Sequence, residues 1–226
     1  VLLILVGVVF VTSPAAILHN LIGSVPTLAF VGLIIVYYII ATVLPIDKVI
    51  GKIYPLFGIC LLVMAVGIGV GIVVQGYDIP EIAFHNFHPQ GTSIFPYLCI
   101  SIACGAISGF HATQSPMMAR CIANEKEGRK VFYGAMISEG IVALIWAAAA
   151  MSFFGGTDGL GVALSNGGAA VVVNKISSTV LGKVGGILAI LGVVACPITS
   201  GDTAFRSARL TIADAIGYKQ GPILNR

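Results

Sequence analysis

The sequence predicts an all-α fold: a polytopic transmembrane helix bundle with discontinuous helices. Three observations carry this. Hydrophobic residues make up 58% of the 226 residues, charged residues only 9%, and the mean hydropathy is +1.03. A soluble domain carries about 25% charged residues, so this chain has too little polar surface to cover itself in water. Uncharged apolar runs recur at close to the ~20 residues needed to cross a hydrocarbon core. Finally, the 28 glycines suit membrane helices, where small residues let backbones approach closely.

The elements follow in chain order. Residues 1–11 read as the tail of one span, and the chain, which opens inside an apolar run without an initiator Met, reads as a fragment of a longer protein. No signal peptide is expected there, because a basic n-region is missing. Residues 27–44 and 56–75 qualify as spans on length and lack of charge. Residues 94–110 are slightly short but continue, without a turn signal, into a polar break at His111-Ala-Thr-Gln-Ser-Pro116. Residues 134–154 form a span with one acidic exception, Glu139, and residues 184–199 form a short one that ends at a Pro197 break. All six belong to a single transmembrane domain over residues 1–226.

The basic residues orient these spans. Segments 45–55, 111–133 and 200–226 hold ten of the twelve lysines and arginines. Segments 12–26, 76–93 and 155–183 hold only Lys175 and Lys183. The positive-inside rule places the first set in the cytoplasm, and the alternation supports the span assignment. The charge is spread among loops rather than gathered in one patch, so the lipid bilayer and a small solute are the expected partners, with no nucleic acid.

Some motifs carry no chemistry. Gly67-Ile-Gly69-Val-Gly71 lacks the preceding strand of a dinucleotide loop and reads as a packing face of small residues. No GxxxxGK[ST] occurs, so ATP hydrolysis is not expected within this chain. His85 and His88, near Asp78 and Glu81, read as a solvated loop rather than a metal site. The five cysteines form no CxxC pair and read as small hydrophobes. No catalytic constellation, cofactor or metal is expected.

Three features carry candidate function. Ser108, His111, Thr113, Gln114 and Ser115, with Gly109 among them, concentrate hydrogen-bonding groups just before Pro116. Pro116 removes a backbone donor and disfavours helix at Ser115. Broken backbone is tolerated in lipid only where it faces protein or a water-filled cavity, and secondary transporters bind solute and ion at such breaks. The bland alternative is a cytoplasmic helix end, capped by Thr113 or Ser115. Next, Thr199, Ser200, Asp202 and Thr203 supply oxygen ligands after Pro197. They suit a cation, or Asp202 is simply the N-cap of a helix starting at Thr203, paired with Arg206 four residues on. Finally, Glu139 lies within a span, where a charge must face protein or water. It is either a proton acceptor or the partner of Arg120 or Arg129.

ACGAISGFHATQSPMMARC, NEKEGRKVFYGAMISEGIVALIWAAAAM and CPITSGDTAFRSARLTIADAIG together make the chain resemble the carbon-starvation CstA transporter family over residues 91–215. The resemblance implies a bacterial inner-membrane secondary transporter that imports peptides or pyruvate when carbon is scarce. It also implies kinship with the amino acid/polyamine/cation superfamily and its inverted-repeat fold, with helices before Val1 and after Arg226. The expected function is therefore import of a small organic solute coupled to a proton or sodium gradient, with Ser108–Ser115 and Thr199–Thr203 lining the pathway. His111 or Glu139 would carry the proton. The alternatives are a passive solute channel and a non-transporting membrane sensor subunit.

Overall fold

The computed structural model describes residues 2–43, 47–81, 86, 88, 91–105, 111, 115 and 118–217. Among them there is no strand; the chain is a helical membrane bundle. Helical stretches 3–20, 55–74, 125–153 and 182–216 are long and apolar enough to cross a membrane, and two shorter apolar helices lie at 27–41 and 94–103. The helices are α1 (Leu2–Ile22), α2 (Thr27–Val43), α3 (Asp47–Val74), α4 (Ile94–Gly105), α5 (Ala135–Phe153), α6 (Thr157–Val180), α7 (Gly182–Leu188) and α8 (Ala195–Ile216). The chain sorts into two compact units, one of residues 1–61 and 188–226 and the other of residues 62–187.

In the first unit, α1, α2 and α8 pack around Val11, Ala15, Phe30, Ile34 and Tyr38, with Ile198 and Phe205 of α8 against them. The α1 helix does not end near Val11 but runs through the fully buried Pro14 to Ile22. Proline is tolerated within membrane helices because neighbouring groups and local adjustments satisfy the freed backbone. Gly23, at φ 67°, then turns the chain, and the His19 ring Nδ1–H donates to the Val25 carbonyl at 2.7 Å, tying the turn into α2.

The break expected at Pro197 is not there. A π-helical segment, Ala189–Val194, leads directly into α8, and the helix continues through Pro197 to Ile216. Widening the turn just before a proline is one way a membrane helix accommodates the missing donor without unravelling. The helix stops at Gly217, whose left-handed backbone (φ 72°) lets its N–H reach the Ala213 and Asp214 carbonyls.

In the second unit, the glycine face of α3 serves packing as the sequence suggests. Gly67 lies against Leu181, Gly69 against Ile145 and Gly71 against Val180. Met64, Ile68 and Ile72 are buried on this helix, as are Val172, Ile176 and Val180 on α6. Two polar contacts pin α3 to α6: the Ser177 hydroxyl meets the Met64 sulfur at 3.8 Å, and Gln75 Nε2 donates to the Val180 carbonyl at 3.1 Å. The α6 helix itself lies in a stretch expected to be an outer connection. It is bent at Gly168, whose φ 69° and ψ −174° interrupt the helical path. The composition hides it: glycines and polar residues break up the apolar run that would announce a span. Before α5, a π segment at Arg129–Gly134 extends the helical path back toward Glu125.

Gly71→Leu should lower thermal stability in detergent by about 1–3 kcal/mol, because a Cβ there meets the Val180 side chain. Gly58→Leu, in open space on the same helix, should not. Equal melting of the two variants would remove the packing role of the glycine face.

Candidate functional site

Asp202 and Arg206 are the charged groups around which the first unit offers a site. Both sit inside α8, on a helical stretch otherwise long and apolar enough to span a bilayer. The Asp202 side chain is 8% exposed and accepts a hydrogen bond from Arg206 Nη2 at 3.3 Å; the Arg206 side chain is 25% exposed. Spacing of four residues with the acid on the N-terminal side is the favourable order for such a pair on a helix. Desolvating two charges can cost more than their attraction returns, so a buried pair is weak evidence for stability. In a membrane helix it points instead to function.

Asp202 is therefore not an N-cap. Helical backbone runs through it, and the Thr203 hydroxyl donates back to the Thr199 carbonyl at 3.1 Å. This also breaks up the oxygen set expected at 199–203. At about 100° per residue, Ser200 is turned roughly 200° from Asp202, while Thr199, Asp202, Thr203 and Arg206 share one side. A single cation cannot gather all four oxygen side chains from one regular helix.

The surroundings of the pair come from α1 and α2. The Tyr38 hydroxyl donates to the Ile198 carbonyl at 2.9 Å, one turn before Asp202. It reaches that carbonyl because position 201 is glycine: a Cβ there would collide with the Tyr38 hydroxyl and crowd Phe10. Tyr38 also packs against Phe205, with ring centroids 5.4 Å apart, and against Tyr37 at 5.6 Å. The sequence held one overlooked signal for this arrangement: paired tyrosines in an apolar span, each with a hydroxyl that needs a partner when buried.

The second predicted cluster is only partly described. Ser108, Gly109, Thr113 and Gln114 lie outside the described residues. His111 and Ser115 carry helical backbone, and the Ser115 hydroxyl donates to the His111 carbonyl at 2.7 Å. His111 Nε2 is sealed from solvent with no hydrogen-bond partner among the described residues. A buried polar atom left unsatisfied in this way costs about 1–3 kcal/mol.

Glu139 lies in α5 and is exposed within this chain. Helical backbone runs from Glu125 to Phe153, and Glu139 lies nine residues beyond the charged run that ends at Lys130. Among the described residues it makes no ion pair with Arg120 or Arg129. A carboxylate at that position requires water or another polar surface beside it.

The sequence profile described as carbon starvation protein CstA matches residues 1–157. A Haemophilus influenzae uncharacterized membrane protein is 39% identical over 220 residues, covering 74% of this chain and 59% of the relative. The Escherichia coli pyruvate/proton symporter BtsT is 40% identical over 87 residues, 35% of this chain and 12% of the symporter. The Campylobacter jejuni peptide transporter CstA is 35% identical over 127 residues, 53% of this chain and 18% of that protein. The chain thus spans about three fifths of the first relative's length and much less of the others. No solved structure matches it.

Asp202→Ala should destabilise the chain by about 3 kcal/mol in detergent unfolding, because it removes the carboxylate that Arg206 Nη2 meets at 3.3 Å. Asp202→Ala combined with Arg206→Ala should recover much of that loss. A double variant as unstable as the sum of the two singles would show that the ion pair contributes no coupling energy.

Proposed function

The chain belongs to the carbon starvation protein CstA family, and on that premise we propose that it is a secondary active importer of a small organic solute driven by a proton gradient. The observation that carries this reading is the desolvated Asp202–Arg206 pair within a membrane helix. A carboxylate held by an arginine has two neutral arrangements. It stays ionised against the guanidinium, or it takes a proton and frees the guanidinium for an anionic group of the solute. Alternation between them links proton uptake to solute binding without ATP.

Several features favour the proton over sodium. Asp202 is the one carboxylate among the oxygen groups at 199–203, and Ser200 is turned away from the other three on α8. A relative matched over part of the chain bears the name pyruvate/proton symporter, and others bear the name peptide transporter, so these two solutes are the ones to test. His111 and Glu139 are the second-line proton carriers, and Ser108–Ser115 line the pathway in this reading. The expected setting is the bacterial inner membrane, with segments 45–55 and 111–133 and the chain beyond the Asp202–Arg206 pair on the cytoplasmic side, and uptake serving growth when carbon is scarce.

Proteoliposomes containing the chain should accumulate labelled pyruvate or dialanine above equilibrium when a proton gradient is imposed, and not with a sodium gradient alone. Asp202→Asn should reduce that accumulation at least tenfold, whereas Glu139→Gln should shift its pH dependence. Accumulation by Asp202→Asn at the parental level would reduce the pair to a structural element. Equilibration without accumulation in the parent would indicate a channel. Single cysteines at positions 48 and 85 should label from opposite sides of the membrane; labelling from one side would overturn the orientation.

A further inference from the structure

Among the hydroxyls beside the Asp202–Arg206 pair, that of Tyr38 is committed to the Ile198 carbonyl and that of Thr203 to the Thr199 carbonyl. Tyr37 differs. Its ring is half-buried and packs against the core of α1 and α2, which Ile198 and Phe205 of α8 also join. Its ring centroid is 5.6 Å from that of Tyr38, which in turn is 5.4 Å from that of Phe205. Phe205 lies between Asp202 and Arg206 in the chain, so these contacts bring Tyr37 to the stretch of α8 that carries the pair. The charges of both Asp202 and Arg206 act on its phenol. Among the described residues the Tyr37 hydroxyl nevertheless makes no hydrogen bond.

The chemistry of the pair gives such a hydroxyl a use. While Asp202 is ionised, Arg206 Nη2 donates to it at 3.3 Å. Protonation reverses the need. A protonated carboxyl carries an O–H that must find an acceptor, and a guanidinium offers only donors, so Arg206 cannot serve. A phenol oxygen accepts as readily as it donates. The other titratable groups on the packed elements are poorly suited. Arg209, on the same side of α8, also offers only donors. Asp214 is twelve positions along the helix from Asp202, about 18 Å. On α1 the titratable residue is His19, which is tied to the Val25 carbonyl at the turn. On α2 the Tyr38 hydroxyl is fixed by its bond to Ile198.

We propose that Tyr37 is a positioning residue of the coupling site: its hydroxyl accepts the hydrogen bond of the protonated Asp202 carboxyl and holds that group while Arg206 is turned to the solute. The inference rests on the proton-coupled reading of the pair. The phenol neither gains nor loses a proton; the proton that Asp202 takes up stays on the carboxyl and leaves from it. The arrangement with Asp202 against Arg206 is the ionised one, in which the Tyr37 hydroxyl stands by within reach of both charges.

Tyr37→Phe removes the hydroxyl and keeps the ring against Tyr38. Infrared difference spectra of the full chain in nanodiscs, stepped in pH, report the carbonyl stretch of the protonated Asp202 carboxyl as the band that Asp202→Asn removes. In Tyr37→Phe this band should be displaced. It should also appear at a pH lower by about half a unit or more, since one hydrogen bond to the protonated form is lost. Tyr38→Phe should lower the melting temperature and leave the band in place. A parental band in Tyr37→Phe would overturn the proposal, as would an equal displacement in Tyr38→Phe or the absence of any pH-dependent band that Asp202→Asn removes. Proton-driven accumulation of labelled pyruvate or dialanine in proteoliposomes separates this inference from the reading beneath it. Tyr37→Phe should accumulate about threefold less at neutral pH and approach the parent in more acid medium. Parental accumulation by Tyr37→Phe at every pH would overturn the proposal and leave the transport reading standing. A displaced band in Tyr37→Phe, with a parent that accumulates nothing, would support Tyr37 as the partner of the carboxyl and sink the transport reading.

Discussion

Tyr38 extends from α2 to the backbone of α8, and its hydroxyl finds the Ile198 carbonyl only because Gly201 leaves room. In hydrocarbon, a tyrosine hydroxyl without a partner is expensive, so this contact fixes how closely α2 and α8 approach. Phe205 of the same helix packs over Gly7 of α1, again at a position where any side chain would collide. The three helices are thereby held at backbone distance, and the Asp202–Arg206 pair is enclosed as a result. Enclosure is what gives the pair its chemical leverage, since screening by water would otherwise leave it with little effect.

Much of the bundle was legible because lipid imposes simple rules. Apolar length identified α2, the membrane part of α3, and α5. The Gly67–Gly69–Gly71 face was readable because a membrane helix uses glycine for contact, and each of those glycines does meet a side chain. The Asp202–Arg206 partnership followed from helical spacing alone. What failed was local punctuation. Pro197 was read as a boundary, as it would be in water, and the first span was ended at residue 11, but Pro197 and Pro14 both lie inside helices. Lipid makes an open end costlier than a distorted turn, so the chain bends its hydrogen bonding rather than terminate it.

The candidate sites were legible to different degrees for similar reasons. A charged residue in an apolar run is conspicuous, so Asp202 and Glu139 stood out. Tyr38 was not, because its importance comes from a backbone carbonyl 160 positions away. Nor was α6, a helix whose glycines and asparagines disguise it as a connection. Sites assembled from distant segments depend on tertiary packing, and no spacing within one segment reports them.

The π segment at Ala189–Val194 has a geometric consequence for everything after it. A π turn accommodates one more residue than an α turn over the same rise. Relative to a regular helix, it rotates the downstream residues by about 100°. Asp202 therefore faces α1 and α2 because of an extra residue several positions upstream, not because of its own neighbours. Substitution can delete this charge, but only a change in chain length within that wide turn can re-aim it. The direction in which the helix presents its carboxylate is thus written as an insertion, and it would be lost through a single-residue deletion that touches no polar group at all.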